Sequence, residues 1–216
     1  MDLGCGSGAI TAALARILCA VSRHPSPRIV GVDGSVGLLK EAAQRRVPIE
    51  WLNQDLRNLS VEGCFDLAIC CYNTFQHIDG QSLAGAFAGV RRLLPDGARL
   101  AFDIYQPNRD YLRLPQRNRM ARKIVRPGST DLEIRECTDF DEAASLLTIS
   151  WKLVDPLRLD EPPLASTMYR MWQHDPALVE RSLLEAGFET LERYGDLARS
   201  CFSASSKKQV YVCKAH

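Results

Sequence analysis

The chain predicts an α/β fold, a parallel sheet with helices on both faces, interrupted by an antiparallel β insert over residues 111–172 of a single 216-residue domain. Three observations carry that prediction. Short apolar runs alternate with helical patterns through the first two thirds, the β-then-α order that builds parallel sheets. The apolar run Phe65 to Cys71 has no polar alternation, as in a strand covered on both faces. After Pro107 the period changes to strict alternation, the pattern of antiparallel strands with one buried face.

The elements follow in order. Met1 to Leu3 is a short apolar strand holding one carboxylate, Asp2, and the amphipathic run Ala9 to Val21 predicts a helix. Arg28 to Val32 is β-branched and ends at Asp33, and Ser35 caps a predicted helix reaching Arg46. Ile49 to Leu52 leads into Gln54-Asp55-Leu56. Ser82 to Leu94 has helical spacing and stops at Pro95-Asp96-Gly97, with Ala98 to Tyr105 as the next strand. In the insert, Leu147, Ile149, Trp151 and Leu153 share one face, and Thr148, Ser150 and Lys152 the other. Asp175-Pro176 opens a helix that ends at Gly187, and Glu189 to Tyr194 and Gln209 to Cys213 are the last two strands.

Composition bounds the function. With 27 Lys and Arg against 26 Asp and Glu, the net charge of +1 supplies no field for nucleic acid or an acidic membrane. No apolar run approaches the ~20 residues of a membrane helix, and no cationic leader precedes a cleavage site, so a cytoplasmic protein is the default expectation. Eight cysteines form no C-x-x-C pair, which is poor spacing for a metal site or a disulfide framework. Cys5 sits near a helix N-terminus, a place that can lower a thiol pKa, although a catalytic role for it is not expected. The segment Arg109 to Arg126 carries seven Lys and Arg against the single acid Asp110. The next stretch holds Asp131, Glu133, Glu136, Asp139, Asp141 and Glu142, across a turn signal Arg126-Pro127-Gly128-Ser129. A hairpin there sets opposite charges on neighbouring strands, which is favoured over a nucleic-acid surface.

The opening Met1-Asp2-Leu3-Gly4-Cys5-Gly6-Ser7-Gly8 carries the most chemistry. A strand, a glycine turn and a helix bring a ligand close to backbone and to helix N–H groups. Gly4-Cys5-Gly6-Ser7-Gly8-Ala9 also satisfies the dinucleotide pattern, so nicotinamide and flavin cofactors stay open at this point. A carboxylate two residues before the first glycine serves a pyrophosphate poorly and an ammonium well.

The D-x-G-x-G-x-G arrangement resembles motif I of the class I S-adenosylmethionine-dependent methyltransferases, and further segments extend the resemblance along the chain in order. Ile29 to Ser35 resembles the second strand, whose terminal acid, here Asp33 followed by Gly34, takes the ribose hydroxyls. Asn53-Gln54-Asp55-Leu56 resembles the adenine segment, with Asp55 accepting from the exocyclic amine; a plain turn or cap role for Asp55 stays open. Phe65 to Asn73 matches the fourth strand and its exit, with Cys71, Tyr72 and Asn73 beside the methionine moiety and substrate. Leu93-Leu94-Pro95-Asp96-Gly97 and Phe102-Asp103 match the entry to the fifth strand, and Leu183 to Phe188 the helix end before the sixth. The resemblance thus implies a Rossmann-like sheet with an antiparallel last strand, S-adenosyl-L-methionine as cofactor, and contacts from Asp2, Gly4, Cys5, Gly6, Gly8, Asp33, Gly34, Asp55, Leu56, Cys71, Tyr72 and Asn73. The family carries a leading helix and the start of its first strand ahead of motif I, whereas Met1 stands within that strand, which implies an N-terminally truncated chain. His24-Pro25-Ser26-Pro27 accounts for a somewhat long span between Gly8 and Asp33.

Methyl transfer from a sulfonium is an in-line displacement in which the protein supplies proximity and orientation. Candidate acceptor-side residues lie where the strands end: Tyr72, Asn73, Thr74 and His77 after the fourth, and Asp103 and Tyr105 at the fifth. His77 is the best base candidate, histidine being the residue type whose charge changes most readily near neutral pH, against a capping role near Asp79 or a contact with the cofactor; Tyr105 is the second catalytic candidate. By resemblance the insert roofs the substrate pocket of small-molecule N- and O-methyltransferases and can join subunits as a homodimer; Arg170 and Trp172 share a face under the alternation and offer acceptor contacts, against core or interface packing for Trp172 and a structural role for Arg170. The exit Tyr72-Asn73-Thr74-Phe75 lacks the N/D-P-P-Y/F signature of enzymes that methylate exocyclic or amide nitrogens. The expected activity is therefore methylation of a nitrogen or oxygen on a small molecule, without a metal. The alternatives are an RNA or protein methyltransferase, a non-catalytic methyltransferase-like module, and a nicotinamide enzyme.

Overall fold

The computed structural model describes residues 1–21, 27–114, 116–125 and 127–216. It divides into two compact units, Met1–Gln106 with Asp175–His216, and Pro107–His174.

The first unit runs β1 (Asp2–Leu3), α1 (Ala9–Val21), β2 (Val30–Asp33), α2 (Val36–Ala42), β3 (Glu50–Asn53), β4 (Leu67–Cys70), α3 (Leu83–Arg91) and β5 (Arg99–Tyr105). After α4 (Arg109–Leu112), β6 (Arg119–Ile124), β7 (Leu132–Asp141), β8 (Leu146–Val154) and β9 (Ala165–Trp172) of the second unit, it resumes with α5 (Pro176–Glu185), β10 (Phe188–Tyr194) and β11 (Lys208–Ala215). Its seven-stranded sheet has the order β10-β11-β5-β4-β1-β2-β3. The pairs β1–β2, β1–β4, β2–β3 and β4–β5 are parallel, and β11 runs antiparallel to both β5 and β10. The mostly parallel sheet and its antiparallel last strand are those expected.

Burial explains the layers. Val30, Val32, Ala68, Cys70, Leu100, Phe102 and Ile104 share one core with Leu83, Phe87 and Val90 of α3 and Val179 and Leu183 of α5. Ala12 and Ala15 of α1 and Leu39 and Ala42 of α2 are buried outside that cluster. Phe75, Phe87, Phe102 and Tyr211 form an aromatic chain through this core, with centroids 4.8 to 5.5 Å apart. Such pairs add about 0.5–1.5 kcal/mol each beyond their buried area. Phe75, 1% exposed, thereby fixes the short 3-10 turn Thr74–His77 that follows β4.

Two local differences from the sequence reading have physical causes. The helix capped by Ser35, whose side chain accepts from Leu38 N, ends at Ala42 and tightens into a 3-10 turn through Arg45. Arg46, at φ 45°, is left-handed and stops it there. The fourth strand is shorter than Phe65 to Cys71 because its ladder covers Leu67–Cys70 only. His24, Pro25 and Ser26, expected as a loop, and Arg126, expected at the hairpin turn, lie outside the described residues.

The second unit is a four-stranded antiparallel sheet, β6-β7-β8-β9. Its first hairpin pairs Arg119 opposite Glu136 and Lys123 opposite Glu133. Arg119 is ion-paired with Glu136, Lys123 with Asp131 at 2.9 Å, and Arg113 with Glu142. The basic segment is thus met by the acids that follow it. Glu136 is buried and also accepts from Trp151 Nε1 at 2.8 Å, and Trp151 meets Tyr169 edge-on at 5.2 Å. Of the apolar face expected on β8, Ile149 is fully buried, while Leu147, Trp151 and Leu153 are half-buried. Among the described residues no helix is long and apolar enough to cross a membrane, and no group of three or more His, Cys, Asp or Glu is arranged to hold a metal ion.

Candidate active site

β1 ends at Leu3 and the chain turns through Gly4 to Gly8 into α1. Gly4 N and Cys5 N donate to Val32 O at 2.7 and 3.0 Å, and Gly6 N donates to Asp33 Oδ2 at 2.8 Å. Asp33 Oδ1 accepts from Ser35 N at 2.8 Å. One carboxylate therefore ties the glycine loop to the exit of β2 and the start of α2. Gly4 has φ +69° and Gly8 φ +73°, a region that costs a side-chain-bearing residue about 1–2 kcal/mol. A Cβ on Gly4 would come within 2.6 Å of Thr74 Oγ1, and one on Gly8 within 2.5 Å of Trp51 Cη2.

Above the loop lies a cleft of about 630 Å³. Its walls follow the C-terminal ends of β1, β2, β3 and β4, where ligands of open α/β sheets bind. Asp2, Gly4, Cys5, Gly6, Asp33, Gly34, Asp55, Leu56, Cys71, Tyr72 and His77 line it, so most of the predicted residues are brought together. Gly8 lies beneath, against Trp51 and Ala42. Asn73 and Tyr105 are not in the lining, and Arg170 and Trp172 stand on β9, opposite Thr148 and Leu146 in the second unit's own sheet.

Asp2 is 4% exposed, and its Oδ2 accepts from Thr11 Oγ1 at 2.5 Å. Burial raises its carboxyl above the usual range, the Thr11 hydrogen bond works against that, and the neighbouring charge of Asp33 adds to it. The Cys5 pKa is raised, not lowered. Burial, reinforced by Asp2 and Asp33, pushes its thiol up to about 12, so burial outweighs the helix terminus. Cys71 is raised to about 11 by burial and the same kind of neighbours. Both are protonated thiols at neutral pH and poor nucleophiles.

Asp55 carries the plainer role weighed for it. It caps the 3-10 turn Leu56–Asn58 by accepting from Arg57 N at 2.9 Å, and it grips the Arg57 guanidinium at 2.5 Å. Arg57 holds its carboxyl below the ordinary value. The group still lines the cleft beside Gln54 and Leu56. His77 ends the 3-10 turn at the cleft wall, exposed, while Asp79 caps the next segment by accepting from Ser82 N at 2.9 Å.

Sequence reasoning named Thr74 but missed two residues, Trp51 and Lys208. Trp51 is the register partner of Gly31 in β3–β2 pairing and fills the space a Cβ on Gly31 or Gly8 would take. A mid-strand glycine in a buried β-branched run was the available signal. Thr74 abuts Gly4, and Lys208 pairs with Asp103. Nothing local in the sequence joins Lys208 to residues so far upstream.

The donor set fits S-adenosylmethionine. A buried carboxylate at Asp2 suits an ammonium, Asp33 at a strand end has lone pairs left for hydroxyls, and apolar Leu38, Leu56 and Ile78 line the cleft for a neutral ring.

Known proteins point the same way. Residues 1–97 match a methyltransferase domain family. Trans-aconitate 2-methyltransferase of Azoarcus sp. strain BH72 is 46% identical over 57 residues, 26% of this chain and 20% of that protein. The match thus spans about a fifth of the curated relative's length. The CcbJ methyltransferase of Streptomyces caelestis superposes with TM-score 0.79 at 20% identity, over 99% of this chain and 82% of that one. CalS10, an amino pentose methyltransferase of Micromonospora echinaspora with S-adenosylmethionine bound, gives TM-score 0.70 at 16% identity, over 100% and 82%. The chain thus shares the fold of solved methyltransferases, and the family match over residues 1–97 falls on the part of the chain that lines the cleft.

Proposed function

We propose that the chain transfers the methyl group of S-adenosylmethionine to a nitrogen or oxygen of a small molecule. The observation that carries this reading is the cleft, where the glycine loop, the buried Asp2 and the strand-end Asp33 meet in one cavity. Asp2 holds the ammonium, Asp33 the ribose hydroxyls, and Gln54, Asp55 and Leu56 the adenine side. When bound, the cofactor supplies the electrophilic methyl group, and the chain supplies orientation. The close backbone approach of the glycine loop and the walls at Cys71 and Tyr72 fix the methionine end.

A small acceptor is supported by two observations. Three cations of the basic segment that would serve a polyanion, Arg113, Arg119 and Lys123, are ion-paired to the acids that follow it in the chain. The similar proteins include an amino pentose methyltransferase and a trans-aconitate methyltransferase, both acting on small molecules. His77 is the proposed base or orienting group at the cleft wall. Tyr105, half-exposed at the end of β5, carries no step in this reading.

The test is an assay with methyl-tritiated S-adenosylmethionine against amino sugars, trans-aconitate and transfer RNA. Label is expected in a small-molecule acceptor. Label only in RNA or protein overturns the acceptor class, and cofactor binding without transfer to any acceptor leaves a non-catalytic module. With the acceptor found, His77→Ala is expected to lower kcat about 10²- to 10⁴-fold and to remove an ionisation from the pH–rate profile. Retained turnover with an unchanged profile removes His77 as base.

A further inference from the structure

Tyr72 and Asn73 leave β4 in an unusual backbone state. Both are left-handed, at φ 59° and 65°, a region that a bulky residue such as Tyr rarely enters. Two such residues in succession persist only where their surroundings hold them. Tyr72 is 73% exposed and lines the cleft, and the next residue, Thr74, sits against Gly4 of the glycine loop. Whatever fixes this turn also fixes one wall of the site.

The holding groups come from β5 and β11. Asp103 is 5% exposed, and its Oδ1 accepts from Tyr72 N at 2.9 Å while its backbone oxygen accepts from Asn73 N at 3.2 Å. Its Oδ2 takes the Lys208 ammonium in a largely buried ion pair. The same ammonium donates to Asn73 Oδ1 at 3.1 Å and lies 4.8 Å from the centre of the Tyr105 ring. Antiparallel pairing sets Lys208 opposite Tyr105 and Val210 opposite Asp103, so the ammonium reaches Asp103 diagonally across the ladder. An ammonium thus bridges the last strand of the sheet, a buried carboxylate and the side chain of a strained turn.

We infer that Lys208 is a positioning residue for the cleft: with Asp103 it clamps the Tyr72–Asn73 turn in its left-handed form and so sets Tyr72 and Thr74 against the glycine loop. Without the ammonium, Asn73 loses the donor that orients it, and Asp103 is a buried charge with no counter-ion. The turn then relaxes toward ordinary backbone angles, and the wall it forms moves with it.

Hydrogen exchange on the full chain tests this in wild type, Lys208→Met and Asn73→Gly. The glycine variant keeps the Lys208–Asp103 pair, tolerates positive φ, and removes only the side chain that the ammonium orients. Protection at the amides of residues 72 and 73 is expected to fall about tenfold or more in both variants, with Gly31 and Val32 in β2 within about a factor of two of wild type. Unchanged protection at 72 and 73 overturns the proposal. So does a uniform loss across the sheet, which is what a purely structural ion pair would give. If Lys208→Met does not fold, the glycine variant decides alone. A second readout, S-adenosylhomocysteine affinity, is expected to fall about tenfold in both variants and rests on the methyltransferase reading. Absence of binding by wild type would remove that reading, while the exchange result would still decide the clamp.

Discussion

Asp2→Asn is expected to weaken S-adenosylmethionine binding about ten- to hundred-fold, the equivalent of roughly 1.5–3 kcal/mol for a hydrogen bond to a charged group. The same change is expected to raise the melting temperature of the unliganded protein. Both follow from where the carboxylate sits. Asp2 is buried beside Asp33, and Thr11 is the hydrogen-bond donor at its Oδ2. Its folded-state pKa is therefore above the unfolded value of 3.8, with burial the first cause. A group shifted upward stabilises the fold in its protonated form. That contribution is present below 3.8 and is lost as pH rises through the folded value. Asparagine resembles the protonated acid in shape and charge and can still accept from Thr11. The variant should therefore outlast wild type at neutral pH, by about 2–4 °C for each kcal/mol relieved, and converge with it as pH falls toward 4. Calorimetry and thermal melts at two pH values measure both arms. Unchanged affinity would remove Asp2 from the cofactor site.

Gly4→Ala is expected to destabilise the chain by about 2–4 kcal/mol, from the left-handed backbone and overpacking together. Gly4 sits at φ +69°, and the Thr74 side chain already fills the space where its Cβ would stand. Relief requires the loop or the Tyr72–Thr74 turn to move, and both are cleft walls, so cofactor binding should be lost along with stability. Gly85→Ala is the control. Gly85 is an exposed glycine of α3 with open space around it, where alanine should stabilise by about 0.5–1 kcal/mol through helix propensity. A Gly4→Ala protein with wild-type melting and binding would mean that the loop is not held as described.

How far the molecule was legible follows from which information is local. The order of strands and helices is written in hydrophobic period, so β2, β4, β5 and α1 stand near their expected places. The places of Asp2 and Asp33 at the cleft were legible because the glycine run and the β-branched run mark where two neighbouring strands end. The charge-matched hairpin was legible too, since Arg119 and Glu136 are separated by one turn signal. Asn73 was not, because the left-handed turn swings its side chain to Lys208, a conformation that propensity does not disclose. Cys5 was not fully legible for a related reason. Its distance to a helix terminus is local, but the burial that chiefly raises its pKa, with the smaller part played by Asp33, comes from packing between separate elements. Lys208 depends on β11 pairing with β5 across residues far apart in sequence, and no window of the chain carries that contact.

We propose that the cleft above Gly4 to Gly8 is built for S-adenosylmethionine. The most direct test is isothermal titration of the cofactor into the wild-type chain, with NADH as the competing dinucleotide. The glycine pattern admits both ligands, and Asp2 separates them, because one brings an ammonium to that carboxylate and the other a pyrophosphate to the loop. Saturable binding of S-adenosylmethionine at micromolar concentration, with none for NADH, is the predicted result. Preferential binding of NADH, or binding of neither, would contradict it.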